Sequence, residues 1–484
     1  MRWTVFAVLA LLAFAVRLPQ LGERPMHTDE SVNAYITGEL LNGEAFHYDP
    51  QDRHGPVLYL LATPIARLSG AKHFSDLTET ELRITPALAG SFTVLLFGAA
   101  VELFGFLPSI FAAILFGFAP LTVYYNRYFI HETFFVAATF GLILSGHRMM
   151  KTGSAAAAVL AGLSAALMLA CKETAIIHFA ALAAAARFGW IQRESRKISI
   201  VKLLAVSSAV FITTTILLFT WFGRNWTGLP DLLRALQHSF VRAHGEGHEK
   251  PFWYYGAILA GGWSGPLLLL LAVIAVAFLV LDFCRNKTPS PILFISIYGI
   301  LTIGIYSAIP YKTPWLALNL WLPLSLAIGG LISRIRNQST HRAIIQWIFA
   351  PAVLILVTTT SHDLIKRVFL EPASEQNPYA YAHTGEDLLR LEPRLEQLAN
   401  ARHASQPTIA VVAADPWPLP WYLRKFSRVG YWQPGQVPGA ADFYITATDA
   451  TDKLPEKLSV WRPEFFGVRP NVLILLWTPP GSPP

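Results

Sequence analysis

The chain has 484 residues, of which 53% are hydrophobic and 14% charged, and its mean hydropathy is +0.42. Soluble domains carry about a quarter charged residues, so this composition excludes a soluble globular protein and points to a polytopic membrane protein. The formal charge of +7 is no argument for nucleic acid, because the basic residues sit in short loops between apolar runs, as topogenic charges do. Cys171 and Cys284 fall at opposite membrane faces in the expected topology, so neither a disulfide framework nor a Cys-based metal site is implied.

A helix needs about 20 apolar residues to cross the roughly 30 Å hydrocarbon layer. Arg2 followed by Val5 to Val16 can be read as a signal peptide, with Ala13-Phe14-Ala15 resembling a cleavage site. A retained first span is expected instead, because the residues that follow do not read as a mature secreted domain. About eleven spans are expected in all. They are Thr4–Leu18, Thr85–Leu103, Phe106–Leu121, Phe134–Gly146, Ala155–Ala170, Ala175–Ala186, Leu203–Trp221, Trp263–Leu281, Pro291–Ile309, Trp315–Ile332 and Ile345–Thr360.

With the N-terminus in the cytoplasm, the short inner loops hold Arg148 and Lys151; Arg187, Arg193, Arg196, Lys197 and Lys202; Arg285 and Lys287; and Arg334, Arg336 and Arg342. The short outer loops hold only Arg127, Lys172 and Lys312, and this bias sets the orientation. The polar clusters Tyr124–Glu132, Cys171–Thr174 and Pro310–Trp315 then share the outer face with Met26–Ser31.

A long first outer loop runs over 19–83, rich in His, Asp and Glu. Helical periodicity is visible over Ser31–Leu41, and Pro56–Leu68 suits an interfacial or re-entrant helix. A second outer loop, 223–262, ends in aromatics that fit a membrane-interface belt. The expected domains are a transmembrane domain over 1–360 and an extracytoplasmic domain over 361–484. In the latter, Thr408–Ala414, Asp442–Thr446 and Val472–Trp477 read as strands and Trp421–Arg424 as a helix, giving a small α/β fold.

Met26-His27-Thr28-Asp29-Glu30-Ser31 has two readings. One is a helix N-terminus with Thr28 or Asp29 as N-cap; the other is an acidic pair that carries chemistry. Each of Arg127, Lys172 and Lys312 taken alone could merely snorkel to the bilayer edge. Together they would suit a phosphate or pyrophosphate on a lipid carrier. A carboxylate beside them could deprotonate an acceptor hydroxyl or hold a divalent cation. His244, Glu246, His248 and Glu249 match no zinc signature and read as a solvated loop.

The combination resembles the large membrane-embedded glycosyltransferases of the GT-C fold, the class of the protein O-mannosyltransferases and the lipid A aminoarabinose transferase. A closer similarity is to the prokaryotic flippase-associated proteins of archaeal-type N-glycosylation. The matching pieces are His27–Ser31, Asp52-Arg53-His54-Gly55-Pro56, Asn126–Glu132, Lys172-Glu173-Thr174, His248-Glu249-Lys250-Pro251, Tyr311–Trp315 and Pro418–Leu423.

The resemblance implies a polyprenyl-phosphate-linked sugar donor and transfer at the extracytoplasmic face of the inner membrane. The acceptor would be a glycan, lipid or protein. It also implies that Asp29 is the general base, or binds acceptor or metal, with Glu30 in support. Arg127, Lys172 and Lys312 are inferred as donor-phosphate contacts. His27, His54, His131, Glu132, Glu173, His248, Glu249 and Tyr311 are candidates for supporting or acceptor-site roles. No cofactor is specified beyond a possible divalent cation, Mg or Mn. The alternatives are a lipid flippase and a non-catalytic partner in a lipid-linked glycan pathway. The spans are largely free of mid-helix charge, which suits chemistry at one surface better than movement across it.

Overall fold

The computed structural model describes residues 2–51, 53–188, 199–245, 247–338, 342–450 and 456–483. Asp52, Arg193, Arg196, Lys197 and Glu246, named above, lie outside the described residues. The chain forms two compact units. One comprises Met1–Pro19, Ala45–Leu61 and Arg83–Pro372; the other comprises Gln20–Glu44, Ala62–Leu82 and Ala373–Pro484. The second unit takes in two stretches from residues 19–83 as well as the tail.

Each of the eleven segments expected to span falls on a helix. Among the described residues, five helices are long and apolar enough to cross a membrane: Glu79–Phe104, Ile200–Phe219, Gly265–Asn286, Pro291–Ala308 and Pro314–Ile332. Their burial differs sharply. The last is 94% buried over its apolar window and Ile200–Phe219 only 11%, so the first unit is built around the helix at 314–332. The expected span Phe106–Leu121 is interrupted. Ala119 is extended (φ −60°, ψ 136°), as a residue before proline prefers, and a short helix restarts at Pro120.

Small residues bring these helices together. A Cβ on Gly162 would collide with the Ser207 carbonyl, and one on Gly329 with the Pro108 carbonyl, so the paired backbones nearly touch. Trp321 Nε1 donates to the Leu115 carbonyl at 3.2 Å, satisfying a buried indole against the same neighbour.

Arg17 ends the first helix, Arg2–Arg17, and is fully buried. Its Nε and Nη2 donate to Asn126 Oδ1 at 3.1 and 2.8 Å, Nη2 to the Gly117 carbonyl at 2.9 Å and Nη1 to the Ala13 carbonyl at 2.6 Å. Asn126 Nδ2 in turn donates to Thr133 Oγ1 at 3.0 Å. A buried cation is tolerated when its donors find partners, and here four of the five guanidinium N–H groups are bonded to neutral oxygens.

The second unit contains a five-stranded sheet of β1 (Ile409–Val412), β2 (Val429–Trp432), β3 (Phe443–Ala447), β4 (Arg462–Arg469) and β5 (Val472–Thr478), in the order β2-β1-β3-β5-β4. β1 pairs in parallel with β2 and β3, while β5 runs antiparallel to β3 and β4. The three strands read from the sequence are the inner ones. β2 and β4 lie at the edges, and β4 carries Arg462, Pro463 and Glu464, residues that protect an edge and erase the apolar signal.

Replacing Arg17 with Met should leave Asn126 Oδ1 without its donor, at a cost on the order of 1–3 kcal/mol. A lowered thermal midpoint in detergent is expected; an unchanged midpoint would show that the Arg17–Asn126 contact carries no stability.

Candidate active site

The acidic pair belongs to the second unit. The helix Thr28–Leu41 is capped by His27, not by Thr28 or Asp29 as the capping reading of the sequence had it. His27 Nδ1 accepts the Asp29 N–H at 3.1 Å, and the Glu30 carboxylate accepts the His27 N–H at 3.2 Å, closing a reciprocal capping box. The cap moved because the imidazole replaces the usual hydroxyl or carboxylate as acceptor. Burial pushes the His27 imidazole below its ordinary range, outweighing the pull of Asp29 and Glu30. Neutral His27 therefore donates Nε2–H to the Tyr381 carbonyl at 3.0 Å and keeps Nδ1 as the acceptor for the cap.

This cap separates the two acids. Glu30 is fully buried and ion-paired with Arg24 at 3.1 Å. The Asp29 side chain is 44% exposed; its Oδ1 stands 3.9 Å from His27 Nδ1 and accepts none of the cap hydrogen bonds. The segment entering the helix is held by the tail: the Met26 N–H donates to Tyr422 Oη at 2.8 Å, and Thr384 Oγ1 donates to the Met26 carbonyl at 2.8 Å. Tyr422 lies in the motif Pro418–Leu423, so two of the sequence pieces meet here.

The remaining candidates belong to the first unit. Glu132, at the start of the helix Glu132–Thr152, pairs with Lys172 in the turn after Ala155–Leu169; their side chains are 2% and 11% exposed. Burial alone would lower the Lys172 ammonium, but Glu132 outweighs it and raises it, so Lys172 is charged at neutral pH. Tyr311 lies within electrostatic reach of the same ammonium.

Beside this pair, Glu173 accepts from His54 Nδ1 at 3.0 Å and from the Tyr48 hydroxyl. Burial raises the Glu173 carboxyl, yet His54 and the Tyr48 bond outweigh it and hold it down to about 2. The His131 ring stands 5.4 Å from that of His54. Burial, reinforced by His54 and Lys172, holds its imidazole well below the ordinary range, and Nε2 donates to the Gly55 carbonyl at 3.0 Å. Gly55 must be glycine, because any Cβ would meet the Ala170 carbonyl. Val57 N–H donates to that carbonyl at 3.2 Å. The pieces Arg53–Pro56, His131–Glu132 and Lys172–Thr174 thus form one polar cluster.

Two further pieces meet beside it. Glu249 and Tyr311 form an antiparallel bridge, with Lys250 N–H bonded to the Pro310 carbonyl and Lys312 N–H to the His248 carbonyl, each at 3.1 Å. The His248 and Tyr311 rings are 4.8 Å apart. Lys312 is buried and its Nζ donates to the Lys250 and Ile309 carbonyls at 3.0 and 2.5 Å. Arg127 has other partners: its terminal nitrogens donate to the Pro19 and Val368 carbonyls at 2.6 and 3.4 Å, and it lies over the Phe369 ring. Tyr48 and Arg24 were not singled out in the sequence, where neither stands in a recognisable motif.

Residues 53–221 match the family profile described as dolichyl-phosphate-mannose-protein mannosyltransferase. No curated protein sequence matches the chain. Among solved structures, ArnT from Cupriavidus metallidurans bound to undecaprenyl phosphate superposes with a TM-score of 0.65 at 15% identity, covering 100% of this chain and 99% of that one. The chain has the GT-C fold. The Archaeoglobus fulgidus oligosaccharyltransferase AglB, in complex with an inhibitory peptide and a dolichol-phosphate, matches with a TM-score of 0.60 at 12% identity over 95% of this chain and 72% of that one. A mycobacterial arabinofuranosyltransferase, AftD, matches with a TM-score of 0.51 at 13% identity, over 98% of this chain and 41% of that one.

The two acids should respond differently to substitution. Glu30→Ala leaves Arg24 without its buried partner and should cost about 3–5 kcal/mol, whereas Asp29→Asn should change stability by less than about 0.5 kcal/mol. Equal effects in chemical denaturation would contradict this division. Because Glu173 has a depressed pKa, its pairing contributes fully above the ordinary Glu value of about 4.5 and is lost as pH falls toward about 2. Glu173→Gln should abolish that part of the acid sensitivity, read as thermal midpoint against pH.

Proposed function

We propose that the chain is a membrane glycosyltransferase that moves a sugar from a polyprenyl-phosphate-linked donor to an acceptor at the extracytoplasmic face. The observation that carries the reading is the likeness of fold, over the whole chain, to ArnT bound to undecaprenyl phosphate. The mannosyltransferase profile over residues 53–221 supports it independently. The finer assignment, to the flippase-associated branch of archaeal-type N-glycosylation, rests on the sequence pieces quoted above.

Asp29 is the general base in this reading. Its carboxylate is exposed and uncommitted to the cap, while Glu30 and His27 fix the helix start that carries it. Asp29 takes the proton of the acceptor hydroxyl, the acceptor oxygen bonds to the anomeric carbon, and the bond from that carbon to the lipid phosphate breaks. The phosphate leaves with the electron pair and a developing charge that a cation must balance.

Donor counting ranks the cations. An ammonium has three N–H groups. Among the described residues, Lys172 spends one on Glu132 and Lys312 spends two on carbonyls. Of the two lysines, Lys172 therefore keeps more donors for a phosphate, while Lys312 and Arg127 each hold two backbone carbonyls. As for Mg or Mn, the described residues gather no three His, Cys, Asp or Glu side chains around one point, and the exposed Asp29 carboxylate would offer a cation one ligand. The steps above run on the protein's own groups.

Purified protein given a polyprenyl-phosphate sugar and candidate acceptors should release polyprenyl phosphate, and Asp29→Asn should lower the rate by 10²-fold or more, the scale of lost general-base catalysis. No turnover of any such donor, or full activity of Asp29→Asn, would sink the assignment. Orientation has its own test. In a Cys284→Ser background, Glu44→Cys and Gln436→Cys, both at exposed positions, should label from outside intact cells. Labelling only after lysis would reverse the proposed topology.

A further inference from the structure

His178 lies in the helix Ala175–Ala185, is fully buried, and has no part in the chemistry above. Its Nδ1 is 2.6 Å from Tyr298 Oη and its Nε2 is 3.0 Å from Tyr306 Oη. Both tyrosines are buried on one helix, Pro291–Ala308. The ring also packs at 4.8 Å against Phe135, in the helix that starts at Glu132.

These three helices are the ones that carry the polar cluster. Glu132 begins the first, Lys172 and Glu173 immediately precede the second, and the third runs into Tyr311 and Lys312. We propose that His178 is a positioning residue, a polar pin that fixes these three helices in register and so sets the turns bearing Lys172 and Lys312. Bonds to both ring nitrogens from tyrosines two turns apart allow one register only. A slide of one helical turn, about 5.4 Å, breaks both bonds and takes the buried His178 ring away from its two hydroxyl partners. The link to donor binding rests on the function proposed above; the pin itself does not.

The test uses the full-length protein in lipid nanodiscs. Two amides report on the turns: Lys172 N–H, bonded to the Met168 carbonyl at 3.0 Å, and Lys312 N–H, bonded to the His248 carbonyl at 3.1 Å. In His178→Leu, both should exchange with deuterium about tenfold faster, while helices elsewhere keep their protection. His178→Gln, which still offers one donor and one acceptor, should restore slow exchange. Tyr306→Phe keeps the ring and removes one bond, and should give the same local loosening should His178→Leu fail to fold. Unchanged exchange at both amides in Tyr306→Phe and His178→Leu would overturn the pin, as would a rise spread evenly along the chain that Gln does not reverse. Undecaprenyl phosphate should bind His178→Leu about tenfold more weakly and His178→Gln as it binds the wild type. If the wild type fails to bind undecaprenyl phosphate, the donor assignment falls, while the exchange measurement still judges the pin.

Discussion

A carboxylate and an ammonium buried against each other, Glu132 and Lys172, are what the first unit must accommodate before anything else. Neither charge survives burial alone, so the helix starting at Glu132 and the turn holding Lys172 are bound to one position. Much of the local sequence follows from that requirement. Ala170 presses its carbonyl where the chain at residue 55 has room only for glycine. Glu173, next in the turn, accepts from His54 and Tyr48, so its buried carboxylate is partnered as well. The pair also keeps Lys172 charged, the property a lipid-phosphate contact needs.

The second unit resolves an ambiguity at the acidic stretch. Two adjacent carboxylates at a helix start can serve a cap or carry chemistry, and here only Glu30 serves the cap. Glu30, three residues after His27, has the spacing of a capping box and is buried with Arg24. Asp29 is turned outward by the same helical geometry. A histidine cap makes this possible, because an uncharged Nδ1 can accept the Asp29 amide without consuming the Asp29 carboxylate.

The apolar segments were legible because lipid-facing and buried helices alike show long apolar runs, and each such run is helical. Inner strands such as Ile409–Val412 were legible for the same reason. The edges were not: Pro463 and the charges of β4 look like loop. The sequence pieces around Gly55, His131 and Lys172 could be recognised singly, but that they touch depends on packing between distant helices. Tyr48 and His178 carry no motif at all; their roles come from the partners that the fold brings to them. The place of the helix 28–41 with the tail was hidden because Met26 bonds to Tyr422 and Thr384, over 350 positions away along the chain.

The central claim is that a lipid phosphate is recognised at the Lys172 turn. Its most direct test is equilibrium binding of undecaprenyl phosphate to the purified protein, measured beside undecaprenol, which lacks the phosphate. To avoid stranding a buried carboxylate, Lys172→Met is made together with Glu132→Gln. The account predicts that the phosphate form binds the wild type, that undecaprenol binds at least tenfold more weakly, and that the double variant loses the preference. Equal binding of the two lipids to the wild type, or an unaltered preference in the double variant, would contradict it.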